Sequence, residues 1–323
     1  MTALKDQVTS TRPVGWRRLL ALHPSMVDFA RRGFRTGPAG TRAALEGAAG
    51  AFLLGFNAEL AMPASQAPEL THLPEHRRGF AAEGAAMAAA LLDMMNPAGG
   101  RRLAAVRQRH AARYTYLLHV GSGWAMAKLH RSRLGRLGAD EPLLRWLAYD
   151  GMGFCQAFFA SERQLRGWYA HRDSCPPTCD IRYQGLGRSL WFRECGTPAA
   201  LAARIQRLPR RHHADAWSGV ALAATYAGGV PEASYAELRE LAGGHGAAIA
   251  QGAAFGAGAW QLCGHVPAHA HAAVRALAGA TVDEAAQWTR QARHGLAHPG
   301  AQADHFRLWR VRIQQRAAEH GHT

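Results

Sequence analysis

Five carboxylate or amide residues each stand directly before a glycine in a small, apolar stretch: Glu46 in LEGAAGAFLLGF, Glu83 in AEGAAMAAALL, Asp150 in YDGMGFCQAFF, Gln184 in YQGLGRSLWF and Gln251 in AQGAAFGAGAW. Carboxylates in an apolar surround can serve as general acids or bases, because burial moves their pKa toward neutrality. His119 in HVGSGWAMAKL and Asp215 beside AWSGVALAATY accompany two looser copies of the phrase. Arg188, in QGLGRSLWF, puts a cation on a face that would exclude it unless a carboxylate such as Glu83 or Asp150, or an anionic ligand, pairs with it.

Two roles are open to this row. Its members bond backbone groups of the neighbouring helices, as buried polar side chains must find partners, or they line a groove that holds a ligand. In the second role Glu83, His119, Asp150 and Arg188 are candidate acid, base or anion-holding groups, while Glu46, Gln184, Trp217 and Gln251 are candidate ligand contacts. Aromatic residues cluster around the same phrases, among them Trp124, Phe154, Phe192, Phe255 and Trp260, and could wall an elongated apolar site. At least three of Glu46, Glu83, His119, Asp150, Gln184, Arg188 and Gln251 are then expected to border one cavity that also exposes aromatic rings.

Other chemistries find less support. His265, His269 and His271 in GHVPAHAHAA have ligand-like spacing, but Pro267 puts them at a helix start, and ELTH (69–72) has no second copy to complete a di-iron site. No metal set is assigned. His212 and His213 beside RLPRR read as a solvated loop. There is no G-x-S-x-G elbow, and GMG (151–153) and GLG (185–187) lack the preceding strand of a dinucleotide fingerprint, so no cofactor can be named. Five cysteines are an odd count that argues for free thiols, and CPPTC (175–179) reads as a loop with two thiols, not as a redox or zinc pair.

The elements that must position these residues follow from the glycines. Gly47, Gly84, Gly121, Gly151, Gly185, Gly219 and Gly252 are 30 to 37 residues apart, with a mean close to 34. That is the length of a two-helix unit of the tetratricopeptide kind, which buries its apolar face by stacking on neighbours. Ala, Leu, Arg, Glu and Gln dominate, alternating strand patterns are nearly absent, and prolines fall between the glycine markers. The expected fold is all-α: at least twelve helices as stacked antiparallel hairpins with negligible sheet. The expected division is an N-terminal arm and first helix over 1–40, one helical half over 41–170 and a second, with a C-terminal cap, over 171–323. Shifts of 101 residues from Gly84 to Gly185 and from Gly151 to Gly252 suggest that the halves are a duplication.

A formal net charge of +15 invites a nucleic-acid partner, but only two of the 38 basic residues are lysines and no recognition-helix, zinc-finger or single-strand signature accompanies them. Nucleic acid is not expected. No apolar run reaches spanning length and the first residues do not form a secretory signal, so a soluble, cytoplasmic chain is expected.

The stretches RRGFAAEGAAMAAALLD, YLLHVGSGWAMAKL, LLRWLAYDGMGF, YQGLGRSLWF, WSGVALAATYAGG and AQGAAFGAGAW, in this order over roughly residues 14 to 300, resemble the UnbL-like family. Its members have no assigned biochemical function and accompany the polyketide synthase in bacterial enediyne antibiotic gene clusters. The resemblance implies a secondary-metabolism protein acting on or near a linear polyene intermediate during enediyne core formation. An alternative is a non-catalytic helical adaptor that carries the polyene or docks the synthase and redox partners. The ligand implied is a polyene or other apolar small molecule, and the implied protein partners are the synthase and other cluster proteins. No catalytic residue is carried over.

Overall fold

The computed structural model describes residues 13, 15–96, 100–135, 137, 140–170 and 175–321. Among them are thirteen α-helices and no strand. The helices are α1 (Ala39–Ala61), α2 (Glu75–Met95), α3 (Arg102–Lys128), α4 (Leu147–Phe158), α5 (Glu162–Tyr169), α6 (Cys179–Arg193), α7 (Pro198–Gln206), α8 (His213–Ala227), α9 (Ala233–Ala242), α10 (Gly246–Cys263), α11 (Ala268–Ala278), α12 (Val282–Ala292) and α13 (Ala303–His320). The described part of the first forty residues holds two short 3₁₀ turns, Gly15–Leu20 and Pro24–Val27, before α1 begins. Residues 1–12 of the expected N-terminal arm lie outside the described residues.

Helices α1, α2, α3, α4, α6, α8 and α10 form a stack in which each packs chiefly on the next of this series, and the short helices α7, α9 and α11 make a second row. Helix α3 breaks at Tyr114 (φ −132°, ψ 22°). Its first turn is tied to the end of α2, where the Asp93 carboxylate accepts the Arg102 and Leu103 backbone N–H groups. Successive long helices share a direction. Gln184 of α6 meets Asp150 of α4, and nine residues further Arg193 reaches the Ala157 carbonyl. Likewise Ser218 of α8 meets Gln184, and Trp191 donates to the Gly228 carbonyl past the end of α8.

The recurring glycine has a geometric cause. A Cβ on Gly185 would lie 1.9 Å from the Asp150 carbonyl oxygen, one on Gly219 1.9 Å from that of Gln184, and one on Gly252 2.0 Å from that of Ser218. On Gly151 it would meet the Val120 oxygen at 1.9 Å and on Gly121 the Glu83 oxygen at 2.2 Å. Each glycine therefore seats the carbonyl of the residue just before the preceding glycine, and the backbones touch. This contact explains why a residue costing about 0.5–1 kcal/mol in a helix interior appears at every step.

Gly47 is the exception. Its missing Cβ faces only the flexible Arg77 guanidinium, 2.8 Å away, whereas the Phe52 carbonyl takes the equivalent place against Gly84 at 1.9 Å. The register of α1 thus runs through Phe52 and Gly55, and Glu46 stands outside the row. One apolar core cluster includes residues from Phe29 to Ala317.

Candidate functional site

Where the helices touch backbone to backbone, the residue before each glycine projects into the interior, and its side chain must bond what it finds there. Glu83 from α2, Asp150 from α4 and Arg188 from α6 converge. Arg188 Nη1 donates to Asp150 Oδ1, and Nη2 lies 3.7 Å from Glu83 Oε1. Trp124 Nε1 of α3 donates to the same glutamate oxygen at 3.1 Å, and the Arg188 guanidinium sits 5.1 Å over the Phe154 ring. All three ionisable groups are buried.

The bonding continues along the stack. Gln184 Nε2 donates to Asp150 Oδ2 at 2.8 Å, and the Ser218 hydroxyl lies 3.3 Å from Gln184 Oε1 and 2.9 Å from Gln251 Oε1. Arg310 of α13 donates to Gln251 Oε1 at 3.3 Å and to Asp215 Oδ1 at 2.8 Å, and Asp215 Oδ2 is 3.0 Å from His212 Nδ1. The result is a buried polar chain from Trp124 to His212. The two roles open to the row are partly joined, since its members bond one another's side chains and some of them also face space.

That space is a pair of narrow apolar cavities. One, of about 50 Å³, is bordered by Asp150 and Arg188 with Tyr226, Phe255, Ala223 and Trp309. The other, of about 40 Å³, is bordered by Glu83 and Arg188 with Phe52, Trp124 and Phe154. They share Phe80, Arg188 and Phe192 as a common wall. Two of the expected polar residues border each cavity, and three border the pair. Wider depressions of about 780 Å³, around Arg107 and Asp140, and about 500 Å³, around Trp168 and Arg182, lie elsewhere. Size does not favour the narrow pair; the buried ionisable groups that open onto it do.

Burial pushes the Glu83 carboxyl up to about 7, with Arg188 pulling it down and Asp150 pushing it further up. For Arg188 burial opposes the charge, but Asp150 and Glu83 outweigh it and raise the guanidinium above its ordinary value. Glu83 can therefore give or take a proton near neutral pH while Arg188 stays charged.

The remaining candidates stand apart. His119 is buried in α3 with no partner for Nε2 among the described residues; burial first, then Arg107, Arg145 and Arg293, hold its imidazole down to about 3. It borders neither cavity. Glu46 Oε1 accepts the Phe29 backbone N–H at 2.9 Å. Trp217 is buried without bordering either cavity, and Gln184 and Gln251 belong to the polar chain and not to the cavity walls.

Two expectations are corrected. His212 is not in a solvated loop: it is buried, stacked on Tyr183 with ring centroids 3.8 Å apart and paired with Asp215. The three-residue step from His212 to Asp215, which puts both on one helical face, was the available signal. Cys175 and Cys179 are joined in a disulfide, so only Cys155, Cys195 and Cys263 are free, all buried. Arg310 joins the chain without having been singled out, and Ser218, in a phrase that reads as small-residue helix packing, joins it through its hydroxyl.

His265 faces Glu75 at 3.2 Å, whereas His269 faces the Tyr226 carbonyl at 3.4 Å. Among the described residues no group of three His, Cys, Asp or Glu side chains converges as metal ligands would, and no helix is long and apolar enough to cross a membrane.

No curated protein and no solved structure matches the chain. A family model does match, over residues 14–317, and the chain accordingly belongs to the family described as protein of unknown function (DUF1702).

Proposed function

We propose that the paired cavities receive a thin, elongated, apolar molecule, and that the chain acts on a linear polyene intermediate of enediyne core formation. The carrying observation is that two narrow, aromatic-walled cavities meet at the Glu83–Arg188–Asp150 cluster. Cavities this small favour a slender unbranched chain over a bulky ring system, and aromatic faces suit a conjugated π system. At the junction Glu83 serves as the proton donor or acceptor, and Arg188 with Asp150 sets its charge environment. The enediyne context comes from the resemblance of the ordered motifs.

A carrier without chemistry is the second reading. It is favoured by the cluster's internal bonding, which leaves Arg188 paired on both sides. The two part in one experiment: a linear conjugated polyene is mixed with the purified chain and with Glu83→Gln while its absorption bands are followed. Loss of the bands with the native chain, but retention with the variant, supports chemistry at Glu83. A band shift with no loss in either supports a carrier. Spectra unchanged in both remove the two readings together.

A further inference from the structure

At the far end of the polar chain, remote in bonding from the cavities at Arg188, lies a sulfur site. Cys175 Sγ is 3.6 Å from His212 Nε2, and His212 Nδ1 lies 3.0 Å from Asp215 Oδ2. Arg211 Nε lies 3.2 Å from His212 Nε2. Cys179 is the first residue of the fifteen-residue α6, where the helix N-terminus favours a thiolate. Cys179 also borders the cavity of about 500 Å³, whose described walls include Lys128, His130, Arg182 and Trp168 and no carboxylate. Its size suits a small ligand and its charge suits an anion.

We propose that Cys175 and Cys179 are a redox-active pair, reduced by an anionic low-molecular-weight thiol bound in the cavity beside Cys179 and reoxidised by the disulfide of that thiol, with His212 as the proton partner of Cys175. A thiolate RS⁻ attacks Cys179 Sγ, the Cys175–Cys179 bond breaks, and the Cys175 thiolate departs toward His212 and Arg211. A second RS⁻ attacks the outer sulfur of the mixed disulfide and releases the Cys179 thiolate. In sum two RSH and the protein disulfide become RSSR and the protein dithiol, with two electrons passing to the protein. This inference is independent of the polyene reading, since it uses neither Glu83 nor the narrow cavities.

The test uses the native full chain, reduced glutathione as the probe, and iodoacetamide trapping read by mass spectrometry. Glutathione is expected to open the pair so that Cys175 and Cys179 are labelled while Cys155, Cys195 and Cys263 are not, and oxidised glutathione is expected to close it again. His212→Gln is expected to slow the opening about 10-fold with an unchanged circular-dichroism spectrum. Glutathione is expected to outpace neutral 2-mercaptoethanol, by a margin that Lys128→Gln reduces. A pair that opens only in denaturant overturns the proposal, whether or not the variants fold. So do a folded His212→Gln with the native rate and equal rates for the two thiols.

Discussion

Arg188 is the residue on which the buried cluster turns, because its loss strands two carboxylates in an apolar interior. Arg188→Met is expected to lower stability by about 3–5 kcal/mol in denaturant titration, and adding Glu83→Gln and Asp150→Asn should recover a substantial part. No recovery would mean that Arg188 contributes by packing and not by charge. Glu83 gives a second expectation with a definite sign. Its folded carboxyl, raised to about 7 from 4.5, holds a proton that the unfolded chain has released between these pH values. Stability from this residue is therefore full below about pH 4.5 and is lost as pH rises toward 7, a change on the order of 3 kcal/mol. Glu83→Gln cannot ionise, so its stability relative to the native chain should be greater at pH 8 than at pH 5; a pH-independent difference contradicts the assignment.

At this scale the sequence was informative where a charge interrupted an apolar face. Arg188 had to be paired, and Asp150 one glycine marker before it and Glu83 three markers before it were the carboxylates that shared its register. His212 was hidden because it sits among Arg210, Arg211 and His213, so nothing in the string marked one imidazole as stacked under Tyr183. Arg310 was hidden for a different reason: it comes from the last helix, which carries none of the glycine phrase and reaches Gln251 from 59 positions away.

Among the elements, the glycines are the parts that cannot change. Gly185→Ala puts a methyl where the Asp150 carbonyl oxygen sits, and Gly219→Ala does the same at Gln184. Either is expected to lower the melting temperature by more than any helix-propensity gain can offset, because backbone on both sides must move apart. Gly246→Ala, at the start of α10 with nothing within 4 Å of the added atom, should be neutral or raise stability by about 0.5–1 kcal/mol. Thermal melts of the three variants check this; a Gly185→Ala chain that melts like the native one contradicts the close-contact explanation. The glycine period was legible because a missing Cβ in a helix signals close approach. Two features were not. Gly47 repeats the phrase but not the contact, and the break of α3 at Tyr114 has no glycine or proline to mark it, only the weak helix formers Tyr114, Thr115 and Tyr116.

For the whole molecule, the fold brings residues from eight helices around one pair of cavities: Phe52, Glu83, Tyr116, Asp150, Arg188, Ala223, Phe255 and Trp309 come from α1, α2, α3, α4, α6, α8, α10 and α13. Composition and period announced the helices, but the cavities arise from the side chains that face one another between helices, a pairing that a single sequence does not display. The most direct test of a ligand site at the paired cavities is fluorescence titration of the purified chain with diphenylhexatriene, a neutral linear conjugated probe that brightens in apolar surroundings. Saturable binding of one probe per chain is expected. Ala223→Leu, which fills the cavity beside Asp150 and Arg188, is expected to weaken that binding at least about 10-fold while the circular-dichroism spectrum is kept. No saturable binding to the native chain, or equal binding to a folded Ala223→Leu variant, would contradict the site.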